Sequence, residues 1–295
     1  MKRKVIEIIL VIIGITAIGF PVISKFVNSY TETTVISNYQ EDINKLTEEQ
    51  KEEELRKAQE YNDEISQEGI VDISLDKKKD GEDSGYVSYL NVLNIGNAIG
   101  YINIPKLNVN LPIYHGISES VLQTGVGHLQ GTSLPIGGKG THAVLAGHTG
   151  LASNKIFDDL EKLAIGDRFS IYVLNKTLEY EVDDIKVVKP EAVDAIERNP
   201  EKDYVTLITC TPYMVNSHRL LVRGVRVEPS DDATSQTSDS QMNNIQNINN
   251  LKNRKKREML LIITIFVIAT IFLILWITRG KENKEEKNSE QNSER

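Results

Sequence analysis

Three hydrophobic rhythms divide this chain. At its two ends apolar residues run almost without interruption, behind the first run they recur three or four apart, and through the middle they cluster in short bursts bounded by turn residues. Residues 259–277 hold 19 positions without a charge, and at 1.5 Å per residue they reach ~28 Å, about one hydrocarbon core. They predict a transmembrane helix. Residues 5–23 form the other apolar run, interrupted by Glu7, Thr16 and Pro21 and preceded by Lys2, Arg3 and Lys4. No small-x-small cleavage site follows its apolar centre, so an uncleaved anchor is preferred over a signal peptide.

The basic start keeps residues 1–4 in the cytoplasm and sends the middle of the chain outside. A second span then returns residues 278–295 to the cytoplasm, so the expected location is the cell membrane, with the central domain extracytoplasmic. One feature runs against the positive-inside tendency: Lys252, Arg254, Lys255, Lys256 and Arg257 precede the second span on the outer side.

Between the spans, residues 30–68 carry Val35, Tyr39, Ile43, Leu46, Leu55, Ala58 and Ile65 at mostly helical spacing, which predicts one or two amphipathic helices. Residues 69–94 mix Gly, Ser and Asp with Lys77, Lys78 and Lys79 and read as an irregular connection. The compact domain is expected over 97–228. It holds strand-like runs at 101–104, 109–114, 141–146, 168–174, 177–188, 204–209 and 220–227, bounded by Gly, Pro, Asn and Asp. Short helices are expected at 118–123 and at 154–163, where Ile156, Leu160 and Leu163 share a face. So many short strands with so few helices predict a mainly β domain, a closed or nearly closed barrel. Residues 229–250 are polar and poor in aromatics, a flexible stalk leading through the basic flank to 258.

Charge and cysteine content exclude several classes. The net charge is −8, which argues against nucleic acid as a partner, since that requires a basic footprint. The acidity is local: residues 41–68 carry eleven acids and four bases, whereas 97–228 carry fifteen and thirteen. One Cys in 295 residues forms no internal disulfide and no Cys-based metal cluster.

That residue, Cys210, ends the run 204–209, and eight residues separate it from Arg219 at the start of the next run. Antiparallel pairing of the two would make Cys210 and Arg219 neighbours at one rim. Cys210 reads either as a small buried hydrophobe or as a nucleophile whose thiolate a nearby cation favours. Arg219 reads either as a solvated charge or as the group that stabilises an oxyanion. Of the five His, His148 stands out, because the apolar run 143–146 feeds it through Gly147 to a strand end, where an imidazole can serve as acid or base. His115, His128, His142 and His218 read as turn or strand-end residues; no His-Glu-x-x-His spacing or carboxylate cluster suggests a metal, and no cofactor is implied. The Gly-rich stretch 137–141 places Gly140 after Lys139 where a phosphate loop needs Ser or Thr, so it reads as a turn.

Taken together these segments resemble the sortases. Residues 206–210, Thr-Leu-Ile-Thr-Cys, look like their Thr-Leu-x-Thr-Cys signature; 146–150, Ala-Gly-His-Thr-Gly, look like the segment bearing their His; and Arg219 in 218–224 matches their Arg. The stretches 113–116 and 127–135, the N-terminal helices and the second span resemble class C, the pilin-polymerising sortases. The resemblance implies an eight-stranded β-barrel and transpeptidation at a Gram-positive membrane surface. Cys210 would attack the Thr-Gly carbonyl of a Leu-Pro-x-Thr-Gly-like sorting signal, His148 would shuttle protons, and Arg219 would hold the substrate backbone or the oxyanion. In class C the resolving amine is a Lys of another pilin subunit, so pilins or other surface proteins with C-terminal sorting signals are the implied partners. Class C enzymes commonly close the site with a lid bearing Asp-Pro and an aromatic. The aligned stretch here is Ile-Val-Asp-Ile-Ser at 70–74, which keeps Asp72 but neither the Pro nor the aromatic, so a weakly closed lid is expected. The alternatives are a sortase that anchors proteins to peptidoglycan and a catalytically inactive membrane adaptor. A papain-like hydrolase is disfavoured because Cys210 lies after His148, with no obvious orienting Asn.

Overall fold

A computed structural model describes residues 2–65, 88–151, 154–192, 196–228 and 238–293. Eight strands, β1 (Gly100–Ile104), β2 (Val109–His115), β3 (Val126–His128), β4 (His142–Ala146), β5 (Arg168–Val173), β6 (Lys176–Val188), β7 (Tyr204–Thr211) and β8 (His218–Arg226), close into a barrel in the order β1-β2-β3-β4-β7-β8-β6-β5. The pairs β2–β3 and β4–β7 are parallel and the rest antiparallel. The expected mainly β barrel is therefore the fold, and seven of its strands coincide with the strand-like runs. The eighth, β3, is the three-residue strand Val-Gly-His, too short to stand out as a strand-like run. Gly127 is required there: a Cβ would stand 2.3 Å from the carbonyl oxygen of Gly116.

Alternation along each strand builds two apolar faces. Ala143 and Leu145 of β4, Val205 and Leu207 of β7, and Leu220 and Val222 of β8 join the main core. Their neighbours Val144, Ala146, Ile208 and Leu221 form a second, smaller cluster with Ile117, Leu122, Leu129 and Ile196. This second cluster lies beneath the residues singled out for chemistry.

Two long helices precede the barrel. Helix α1 (Lys2–Lys45) takes in the apolar start and the first amphipathic stretch, and α2 (Glu48–Ile65) follows. Thr47 and Gln50 open α2 as a capping box: the Gln50 amide donates to Thr47 Oγ1 at 3.2 Å and the Thr47 amide to Gln50 Oε1 at 2.9 Å. Part of the acidic run is paired along its own helix, Glu48 with Lys51, Glu53 and Glu60 with Arg56, and Glu54 with Lys57. Ile36, Tyr39 and Ile43 of α1 and Ala58 of α2 belong to the main core. The Tyr39 hydroxyl donates to the Ile99 carbonyl at 2.8 Å and accepts from the Leu174 amide at 3.2 Å, so the helix is pinned to two barrel segments.

Contacts divide the chain into two units, residues 1–30 with 253–295, and residues 31–252. Helix α4 (Ser238–Ser293) contributes a stretch, Gln246–Trp276, that is long and apolar enough to cross a membrane; the N-terminal helix meets that test only as a bent pair of segments. The polar segment expected to be a flexible stalk is helical from Ser238 onward. A helix over 154–163 is also not seen. Only a 3₁₀ turn, Leu160–Lys162, forms, although Ile156, Leu160 and Leu163 are buried as their spacing required. The Phe157 amide bonds the His148 carbonyl at 3.0 Å and the Gly150 amide bonds Asp158 Oδ1 at 2.9 Å, so this segment is tied across to the end of β4 and cannot complete an α-turn.

Candidate active site

The site is assembled by register. In the antiparallel pair β7–β8, Cys210 stands directly opposite Arg219, so the two side chains project from the same face of the sheet. Cys210 is half-buried and Arg219 is 3% exposed. The Arg219 Nη1 donates to the carbonyls of Asn216 and His218, both at 3.2 Å, which fixes the guanidinium at the base of the β7–β8 loop. The rim placement expected of this pair is what the fold produces.

His148 reaches the same rim from the other side of β7. Strands β4 and β7 run parallel with Ala146 opposite Ile208, and the Gly147 amide extends the ladder by donating to the Ile208 carbonyl at 3.0 Å. Continuing that register sets His148 level with Cys210, above the outer apolar cluster. Gly147 has no room for a side chain, since a Cβ would lie 2.6 Å from the Phe157 ring and 2.8 Å from Ile156. A close-packed aromatic therefore supports the turn on which the imidazole is mounted.

The His148 ring has a polar partner that inspection of the sequence did not single out. Its Nε2 lies 3.3 Å from Glu119 Oε2, on the short helix α3 (Glu119–Leu122). Glu119 is separated from His148 by 29 positions, and the antiparallel β3–β4 pair brings them together. Its carboxyl is held below the usual carboxylate range, first by the Gln123 side-chain amide and then by His148.

The remaining histidines are structural in their contacts. Buried His128 bonds the Tyr89 hydroxyl at 2.8 Å and the Ser133 carbonyl at 2.9 Å. Buried His142 bonds the Glu197 carbonyl at 2.8 Å and Thr206 Oγ1 at 2.7 Å, and burial pushes it down to about 4. His115 bonds the Val92 carbonyl at 2.7 Å and is also lowered by burial. His218 bonds Ser217 Oγ at 2.9 Å. Among the described residues no three His, Cys, Asp or Glu side chains converge as a metal site would require. Asp72, the lid residue expected from the sequence, lies outside the described residues.

Comparison with known proteins places this geometry. Residues 102–227 match the sortase domain family. Sortase A of Bacillus anthracis is 28% identical over 221 residues, covering 75% of this chain and 92% of that protein. Among solved structures, sortase C-1 from Actinomyces oris is 47% identical with a TM-score of 0.57, covering 61% of this chain and 99% of that one. The sortase C1 of GBS pilus island 1 is 38% identical with a TM-score of 0.63, covering 71% and 98%.

Proposed function

The chain belongs to the sortase family and is a cysteine transpeptidase, and we propose from this that it polymerises pilin subunits by joining a cleaved sorting signal to a pilin Lys. The observation that carries the finer reading is the likeness to sortase C structures, 47% identical to the Actinomyces oris enzyme and 38% to that of the GBS pilus island. The class C resemblance of 113–116 and 127–135 points the same way.

In this reading Cys210 Sγ attacks the Thr carbonyl carbon of a Leu-Pro-x-Thr-Gly-like signal. The Thr–Gly bond breaks as His148 gives a proton to the departing Gly amine, leaving a thioester on Cys210. A pilin Lys amine then attacks the thioester carbonyl, passes a proton to His148, and releases the Cys210 thiolate, so an isopeptide bond replaces the thioester. Arg219, opposite Cys210 and buried, faces the oxygen that becomes negative in both steps. An ordinary thiol, with a pKa of ~8.5, is only a few per cent thiolate at neutral pH, so a cation across the strand pair is where this chemistry needs one.

We place both termini in the cytoplasm and the barrel outside, with the basic residues 252–257 at the outer headgroup level. Asp72 is assigned to a lid over the Cys210–Arg219 pair, weakly closed because no aromatic follows it. The test of substrate class is competition: the full chain, a sorting-signal peptide, and equal amounts of a Lys-bearing pilin subunit and a peptidoglycan-precursor amine. Products joined through the pilin Lys support polymerisation; products joined to the wall-precursor amine would assign the enzyme to wall anchoring.

A further inference from the structure

We propose that Glu119 is a positioning residue for His148, fixing the imidazole with its Nε2–H donated to the carboxylate as a hydrogen bond and its Nδ1 left to exchange protons with the reacting groups. The inference deepens the mechanism above and rests on its assignment of His148 as acid and base.

Both oxygens of Glu119 are engaged, each by a different side chain. Oε2 takes the His148 ring at 3.3 Å, while Oε1 accepts from Gln123 Nε2 at 2.9 Å, one turn further along. An ionised carboxylate only accepts hydrogen bonds, so the His148 nitrogen that faces it carries a proton. In the neutral ring the basic nitrogen is then Nδ1. The lowered titration of Glu119 is consistent with a carboxylate that stays ionised at neutral pH.

The carboxylate is also held by the fold. Leu122 of α3 is 5% exposed and packs in the outer cluster with Val144 and Ala146 of β4, the strand that leads to His148. At the far end of α3, buried Asn154 donates to the Gln123 carbonyl at 3.4 Å and to Glu32 Oε1 of α1 at 2.7 Å. A hydrogen-bonded series thus runs from Glu32 through Asn154, Gln123 and Glu119 to His148. An acceptor so placed holds the ring in one orientation, which general acid–base transfer requires.

The Glu119 side chain is 68% exposed and that of His148 25%, so the effect is modest. An exposed pair supports a loss of about two- to fivefold in turnover.

The experiment uses the full chain in detergent with a Leu-Pro-x-Thr-Gly peptide and a Lys-bearing acceptor, comparing wild type, Glu119→Ala, Glu119→Gln, His148→Ala and the Glu119→Ala/His148→Ala double variant. Nitrogen-15 spectra of labelled histidine rings, assigned by loss of a signal in His148→Ala, report the tautomer. Expected are a two- to fivefold lower kcat with nearly unchanged KM in Glu119→Ala, recovery in Glu119→Gln through its amide oxygen, and no further loss in the double variant relative to His148→Ala. The His148 ring should show the Nε2–H form in wild type and a mixture in Glu119→Ala. Wild-type turnover and an unchanged tautomer in Glu119→Ala, with His148→Ala inactive, would overturn the positioning role and leave the acid–base role standing. A raised KM with unchanged kcat would overturn it too, by making Glu119 a substrate contact. Full activity of His148→Ala would remove the premise itself.

Discussion

The Thr209 hydroxyl donates to the Gly147 carbonyl at 2.7 Å, and the two residues it joins immediately precede Cys210 and His148. One buried hydrogen bond between parallel strands therefore ties together the backbones that present the proposed nucleophile and the proposed acid–base. Thr209→Val keeps the shape and removes the donor, at a cost of about 1–2 kcal/mol. The variant should melt a few degrees lower and turn over more slowly, whereas Thr209→Ser should regain much of both. Thermal denaturation and peptide cleavage measured side by side on the two variants check this; wild-type behaviour of Thr209→Val, with loss confined to Thr209→Ser, would show that the methyl group, not the hydroxyl, matters.

Arg219→Lys should lose most activity although its charge is kept. The guanidinium of Arg219 donates from Nη1 to the Asn216 and His218 carbonyls, each at 3.2 Å. A Lys ammonium is a point charge and does not reproduce the guanidinium's planar fork of donors. Steady-state kinetics with the sorting-signal peptide measure the loss; near wild-type turnover would remove Arg219 from the mechanism.

Stability should fall on mild acidification, through His142. Its Nδ1 faces the Glu197 carbonyl, which only accepts, so the folded protein holds a neutral ring with Nδ1–H, and burial lowers it to about 4 from the usual 6.5. Neighbouring Arg223 and Arg198 oppose its protonation and Asp183 favours it. Because the folded form takes up its proton later than the unfolded form, stability is complete above about pH 6.5 and is lost as pH falls from there to about 4, by about 3 kcal/mol at most. His115, also lowered by burial, adds in the same direction, while Asp203, raised by burial, acts oppositely. Chemical denaturation of wild type and His142→Gln at pH 7 and pH 5 isolates the contribution: the pH dependence should be smaller in the variant, and identical slopes would show that His142 is not its source.

The proposed topology predicts that protease added to protoplasts degrades the barrel and spares tags at both chain ends. Digestion of the C-terminal tag under those conditions would contradict a second span. The composition of Gln246–Trp276 supports that span, while the basic residues before it run against the usual charge bias.

How much of this was legible in the sequence depended on the range of the interaction. The clustering of β-branched and aromatic residues between Gly, Pro, Asn and Asp exposed seven strands. It failed at β3, whose pairing rests on Gly127 fitting against the Gly116 backbone, a contact with no hydrophobic pattern. The facing of Cys210 and Arg219 was readable since a single hairpin joins them. The placement of His148 level with Cys210 followed from the family motif, and its physical cause, the parallel β4–β7 pair, joins strands some 60 positions apart. Glu119 was not legible at all, since its link to His148 passes through the β3–β4 pairing and leaves no local mark. The helical spacing of Ile156, Leu160 and Leu163 foretold their burial correctly and their conformation wrongly, because tertiary hydrogen bonds to His148 and Gly150 displaced the local preference.

The central claim is that Cys210 carries the acyl group, and intact-mass spectrometry of the full chain mixed with a Leu-Pro-x-Thr-Gly peptide tests it most directly. An adduct equal to the peptide cleaved after Thr is expected, mapped to Cys210, released by hydroxylamine, and missing from Cys210→Ala while that variant melts close to wild type. An adduct formed by Cys210→Ala, or peptide transfer continuing in that variant, would contradict it.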